Sequence, residues 1–153
     1  MNTVEIIEFQ PQYEQAVKDL IYLVLRSLKV ENKYPEINRD TDLDYIQEKY
    51  KERGRFWLAI KDDKLIGTVA IEEMDKDTAK LKRMFVLPDF QGTGIGQKLF
   101  DTALSFAKEK GYKTIRLNTD KMMNRAHRFY EKNGFHRTGK DEERYFYERI
   151  LEK

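Results

Sequence analysis

The chain has 153 residues, 29 of them lysine or arginine and 27 aspartate or glutamate, for a formal charge of +2. That length suits one domain with a continuous core over 1–153, and so even a balance supplies no overall field for wrapping nucleic acid or gripping a membrane. The absence of cysteine excludes disulfides and a thiolate nucleophile, and with no apolar leader or spanning run a cytoplasmic setting is expected.

Val4, Ile6 and Phe9 begin a short strand, and Tyr13, Ala16, Val17, Leu20, Ile21 and Val24 then recur at helical spacing to about Leu28. A polar segment with Tyr34, Pro35, Asn38 and Asp40 leads to a second helical pattern on Leu43, Ile46 and Tyr50. Apolar runs at 56–60 and 65–71, joined across Asp62-Asp63, read as a hairpin, and a third strand is expected over 79–86. A helix entered at Gly94 carries Ile95, Leu99, Ala103, Leu104 and Ala107 on one face and stops at Gly111. A strand at 114–117, a helix over 122–132, a turn at Asn133-Gly134 and a terminal strand on Tyr145-Phe146-Tyr147 complete the pattern. Strands early and strand–helix alternation late predict an α/β fold, a mixed sheet with helices packed against it. His127 and His136 have no partner histidine nearby, so no metal site is expected.

The densest signal is Met84-Phe85-Val86-Leu87-Pro88-Asp89-Phe90-Gln91-Gly92-Thr93-Gly94-Ile95-Gly96, an apolar strand turning through proline into a glycine-rich helix start. Glycines at alternate positions let successive N–H groups and the positive end of the helix face an anion together. The string has Gln97 where a dinucleotide fingerprint wants glycine, and it lacks the Gly-Lys-Ser/Thr ending of a P-loop. As Gln91-x-x-Gly94-x-Gly96 after a strand ending in Val86, it resembles the acetyl-coenzyme-A motif of the GCN5-related N-acetyltransferases. Asn124-Arg125-Ala126-His127-Arg128-Phe129-Tyr130-Glu131-Lys132-Asn133-Gly134-Phe135 is similar to that family's late helix. The resemblance runs from Glu5 to Glu148, and its specific motifs lie between Lys80 and Phe135.

The resemblance implies a mixed, mostly antiparallel sheet flanked by helices, and transfer of acetyl from acetyl-coenzyme A to a primary amine of a small molecule or peptide by direct attack in a ternary complex. The alternative is a non-catalytic acyl-coenzyme-A-binding or regulatory module. The strand Leu81 to Val86, with Met84, Phe85 and Val86 as its cofactor-binding residues, would lie along the pantetheine arm, in a wedge opened between it and the strand at 114–117. An N–H near Met84 or Phe85 would polarise the thioester carbonyl. Gln91, Gly92, Thr93, Gly94, Ile95 and Gly96, with Gln97, would wrap the pyrophosphate. Thr93 stands where the family often has a basic residue. Lys98, Lys121, Arg125 and Arg128 read either as phosphate contacts or, for most of them, as solvated surface residues. Asn124 reads as a contact to the cofactor arm or as a helix cap. Tyr130 is the expected general acid for the departing thiol.

Lys80 occupies the position of a frequent family glutamate, so the base is assigned to Glu73 or to a chain of waters. Glu31, Asp40, Asp42 and Asp44 make the early region acidic, and Tyr34, Tyr145, Phe146 and Tyr147 add aromatic surface. These suggest a cationic acceptor drawn to an acidic rim; equally, the acids cap the second helix and stay in solvent. The expected partners are the amine substrate alone, without nucleic acid or membrane, and a homodimer stays open.

Overall fold

The computed structural model describes residues 3–28 and 42–151. It begins with β1 (Glu5–Glu8), a 3-10 turn at Pro11–Tyr13 and α1 (Glu14–Ser27). Val17, Leu20, Ile21, Val24 and Leu25 form the buried stripe of α1, as their three- and four-residue spacing requires. The predicted second helix is split into a 3-10 turn at Asp42–Asp44 and α2 (Ile46–Lys49), which together with Tyr50 bury Leu43 and Ile46. The expectations placed on Glu31, Tyr34, Pro35, Asn38 and Asp40 lie outside the described residues.

β2 (Arg55–Lys61) and β3 (Lys64–Glu73) form the expected hairpin. Asp62 and Asp63 both adopt positive φ, 50° and 63°, the mirror-image turn whose twist matches the flanking strands. β4 (Thr78–Val86), α3 (Ile95–Glu109), β5 (Thr114–Asp120) and α4 (Asn124–Lys132) follow in the predicted order. β6 (His136–Lys140) and β7 (Arg144–Ile150) close the sheet. β6 has no counterpart in the sequence reading, because its mostly exposed His-Arg-Thr-Gly-Lys run carries no apolar alternation and sits at the sheet edge.

The seven strands run in the order β1-β2-β3-β4-β5-β7-β6, antiparallel throughout except where β4 meets β5. α3 covers the face carrying Trp57, whose ring meets Phe106 edge-on at 5.1 Å, and Gly67. A Cβ at Gly67 would stand 2.8 Å from Leu99 Cδ1 and 3.0 Å from the Phe85 carbonyl, so only glycine allows α3 this close. Successive strand residues point to opposite faces, so Phe56, Glu72, Lys80 and Lys82 share the other face. Tyr50 packs edge-on against Phe56 there, and α1 is joined to the same layer by the Lys18–Asp44 ion pair.

Candidate active site

β4 and β5 pair only at Thr78–Thr114, Ala79–Ile115 and Lys80–Arg116, and beyond Lys80 the two strands separate. The separation coincides with a bulge in β4. Lys82 faces Ala70 and Phe85 faces Thr68, so Arg83 and Met84 together oppose Val69. Arg83 takes φ +55°, and the buried Thr68 hydroxyl donates to its carbonyl at 2.7 Å. Leu87 N–H donates to Ile66 on β3; backbone direction alternates along a strand, so Phe85 faces β3 while Met84 and Val86 turn their N–H groups to the side that β5 has left.

The wedge opens into a cavity of about 650 Å³ whose walls come from β4 (Lys80 to Val86), the glycine turn, the end of β5 and α4. Of the candidate cofactor-binding residues, Met84, Phe85, Val86, Gln91, Gly92, Gly94, Gly96, Gln97, Asn124 and Tyr130 line it, whereas Thr93 and Ile95 do not. The Thr93 hydroxyl is bonded back to the Phe90 carbonyl, and the Ile95 side chain is buried in the core. Gln91 donates from Nε2 to the Val86 carbonyl at 3.0 Å and fixes the entry to the turn. Gln97 bridges Asp101 and Asn133, both at 2.9 Å, and so ties α3 to the end of α4.

Gly94 is the N-cap of α3, with φ +91° and no side-chain cap, so its turn supplies backbone N–H groups rather than side chains. A Cβ there would meet nothing within 4 Å; the demand for glycine is conformational, not a matter of space. Across the turn, Arg125 Nη2 lies 2.9 Å from where a Cβ of Gly92 would stand. Arg125 and Lys132 line the cavity, while Lys98, Lys121 and Arg128 do not. The sequence left Arg125 open between a phosphate contact and a solvated surface residue; its position over the glycine turn depends on the packing angle of α4, which no local pattern records.

Asn124 is the first residue of α4, and the preceding cap position is Met123, without a side-chain cap bond. The capping use of Asn124 is therefore not realised, and its exposed amide has no hydrogen-bond partner among the described residues. Tyr130 is 7% exposed, packed 5.7 Å from both Phe129 and Phe135 and 6.4 Å from Tyr147. This burial raises its phenol above the ordinary value of 10, so the group stays protonated at neutral pH.

Glu73 stands apart from the cavity, paired with Arg53 at the closed end of β3. Glu72 shares the face of Lys80 and Lys82 and pairs with Lys49 at 2.9 Å and with Lys82 at 3.4 Å. Burial disfavours its charge, yet the two ammonium groups outweigh that and hold its carboxyl below the usual value. The acidic rim does not form from Asp42 and Asp44. Arg83 Nη2 and Nε donate to Asp42 at 2.5 and 3.2 Å and Tyr50 donates to it at 2.5 Å, while Asp44 pairs with Lys18.

A strand pair that separates into a wedge, with a glycine turn at the head of the following helix, is the arrangement that the sequence resemblance implies for acyl-coenzyme A. The model of the acetyltransferase (GNAT) family matches residues 22–135, and the chain belongs to that family. The chain is 34% identical over 120 residues to an N-acetylaspartate synthetase of Danio rerio, covering 76% of this chain and 43% of that protein. An acetyltransferase from Streptococcus agalactiae superposes with a TM-score of 0.87 at 29% identity, over 97% of this chain and 98% of that one. The PaiA N-acetyltransferase of Thermoplasma acidophilum, solved in complex with coenzyme A, shares the fold at a TM-score of 0.83 and 19% identity, covering 97% and 99% of the two chains. The chain spans half or less of the length of the curated relatives it matches.

Proposed function

We propose that the protein transfers the acetyl group of acetyl-coenzyme A to a primary amine by direct attack in a ternary complex. The observation that carries this reading is the wedge between β4 and β5, which joins the glycine turn and Tyr130 in one cavity. Under it, the pantetheine arm runs along Met84 to Val86 and the pyrophosphate meets the N–H groups of the glycine turn and Arg125. The N–H of Met84 polarises the thioester carbonyl as charge grows on its oxygen.

The neutral amine nitrogen forms a bond to the carbonyl carbon, and collapse of the tetrahedral intermediate breaks the carbon–sulfur bond. The sulfur takes the Tyr130 proton, and the proton lost by the amide nitrogen returns to the phenolate through water. With Glu73 held by Arg53, a water chain is the favoured base. The name of the Danio rerio relative gives N-acetylaspartate as its product, an amide of an amine that also bears carboxylates.

The test is to incubate the protein with acetyl-coenzyme A and an amine panel while following free thiol. Amine-dependent thiol release supports the reading. Tight coenzyme A binding with no turnover across the panel favours the non-catalytic module.

A further inference from the structure

On the face of β4 away from α3, the cavity wall is cationic. Lys80, Lys82 and Arg83 all line it. Two of these charges are already answered, Arg83 by Asp42 and Lys82 by Glu72, and Glu72 also holds Lys49. Lys80, half-buried in the cavity wall, has neither a hydrogen bond nor an ion pair among the described residues; its cross-strand neighbour Glu72 acts on it only through space, and that carboxylate is already held by Lys49 and Lys82.

Asn118 stands across the wedge. Lys80 is in register with Arg116, the last paired position, so Asn118 is the next residue on β5 to point to the same face. It too lines the cavity, and its side-chain amide has no partner among the described residues. Arg116, between them in register, is engaged by Glu148 at 2.9 Å. The mouth of the wedge thus presents one unpaired ammonium and one unpaired amide, on the face opposite the helix α3 that heads the glycine turn. A partly buried ammonium that shares one carboxylate, Glu72, with two other lysines is under-compensated, and a ligand carboxylate is the group that would answer it. Burial and then the neighbouring Lys82 depress the Lys80 ammonium below its ordinary value of 10.5, and Glu72 offsets them only in part.

Building on the acetyltransferase reading, we propose that Lys80 and Asn118 form a carboxylate subsite for the acceptor, which is therefore a small amino acid rather than a polyamine. Lys80 forms the ion pair and Asn118 donates from Nδ2 to the second carboxylate oxygen. Their carboxylate anchor leaves the amino group of the acceptor free to face the thioester beside Met84.

The experiment compares matched acceptors, aspartate and glycine against their amides and against ethylamine and putrescine, at equal concentrations of neutral amine. The parent is expected to show a lower KM for the carboxylate-bearing members. Lys80→Met raises that KM roughly tenfold or more and collapses the preference, Asn118→Leu does so to a lesser degree, and Lys80→Arg restores it, with the KM for acetyl-coenzyme A following none of these changes. Preference of the parent for putrescine or the amides overturns the proposal, as does an equal rise for charged and uncharged acceptors in Lys80→Met. Calorimetric titration of aspartate into the coenzyme-A-saturated protein gives a readout independent of turnover. Binding lost in Lys80→Met supports the subsite even if no thiol is released, an outcome that would overturn only the catalytic reading. Absence of binding in the parent overturns the subsite.

Discussion

Arg83, at φ +55° in the bulge of β4, is held in that conformation by Asp42, whose carboxylate accepts from both Nε and Nη2. A left-handed conformation costs an L-residue about 1–2 kcal/mol, so the pair fixes a backbone geometry that β4 would not adopt alone. Met84, the next residue, turns its N–H into the wedge. Asp42 therefore acts on the cavity through the backbone rather than as a substrate contact.

Asp42→Asn is expected to destabilise the protein by roughly 2–3 kcal/mol at neutral pH and to lower turnover more than acetyl-coenzyme A affinity. Burial disfavours the Asp42 charge, but the Arg83 guanidinium outweighs it and holds the carboxyl below its ordinary value of 3.8. A group depressed in the folded state stabilises above its unfolded value and loses that contribution as pH falls through the folded one. Thermal melts of parent and variant should therefore differ by a constant amount above pH 3.8 and converge under more acidic conditions. A gap unchanged down to the acid limit of folding would remove the charge from the explanation.

Tyr130→Phe should preserve the fold and keep coenzyme A affinity within about twofold, because the ring contacts with Phe129 and Phe135 remain. Turnover should fall by roughly 100-fold or more where chemistry limits the rate. The phenol is raised above 10, so its ionisation gives no alkaline loss of activity up to pH 10. Single-turnover thiol release measured across pH tests both points, and an undiminished rate in the variant excludes Tyr130 as the acid.

At Gly94 the expected order of coenzyme A affinity is Gly, then Asn, then Ala, then Val. The positive φ of +91° sets that order, since asparagine tolerates the left-handed region and β-branched valine does not. Calorimetry should give a loss of about 1–2 kcal/mol for Gly94→Ala. If Asn and Val weaken binding equally, bulk rather than backbone conformation is the cause.

Arg125→Gln should weaken coenzyme A binding by roughly three- to tenfold and flatten the dependence of affinity on salt, because one charged contact to phosphate is removed. Arg128→Gln, on the same helix but outside the cavity, is the control and should match the parent. Titrations at two ionic strengths distinguish these outcomes.

The order of the elements and the glycine turn were legible in the sequence because each has a local cause. Period-3.6 stripes mark α1 and α3, Asp62-Asp63 marks the hairpin, and Gly94 marks a backbone that only glycine enters readily. What escaped depends on distant partners. Asp42 reads as surface charge until Arg83 is folded against it, and Glu73 reads as a free carboxylate until Arg53 meets it across 20 residues. Lys80 reads only as the loss of a glutamate, because its place in the cavity wall, beside a Glu72 already taken by Lys49 and Lys82, emerges only with the fold. β6 escaped for the opposite reason: an edge strand with polar side chains leaves no apolar signature to read.

Among the described residues, three ladder pairs join β4 to β5, the seam between β1–β4 and the β5-β7-β6 half of the sheet. Past that seam, the facing edges of β4 and β5 are left without a strand partner on that side. A pantetheine arm, with its two amides, has the donors and acceptors to serve as the strand between them, and under the proposed function its binding would complete the sheet rather than fill a pocket. Amides of Met84 and Val86 would then exchange with solvent freely in the unliganded protein and slow together when coenzyme A is added, the two halves stiffening as one body.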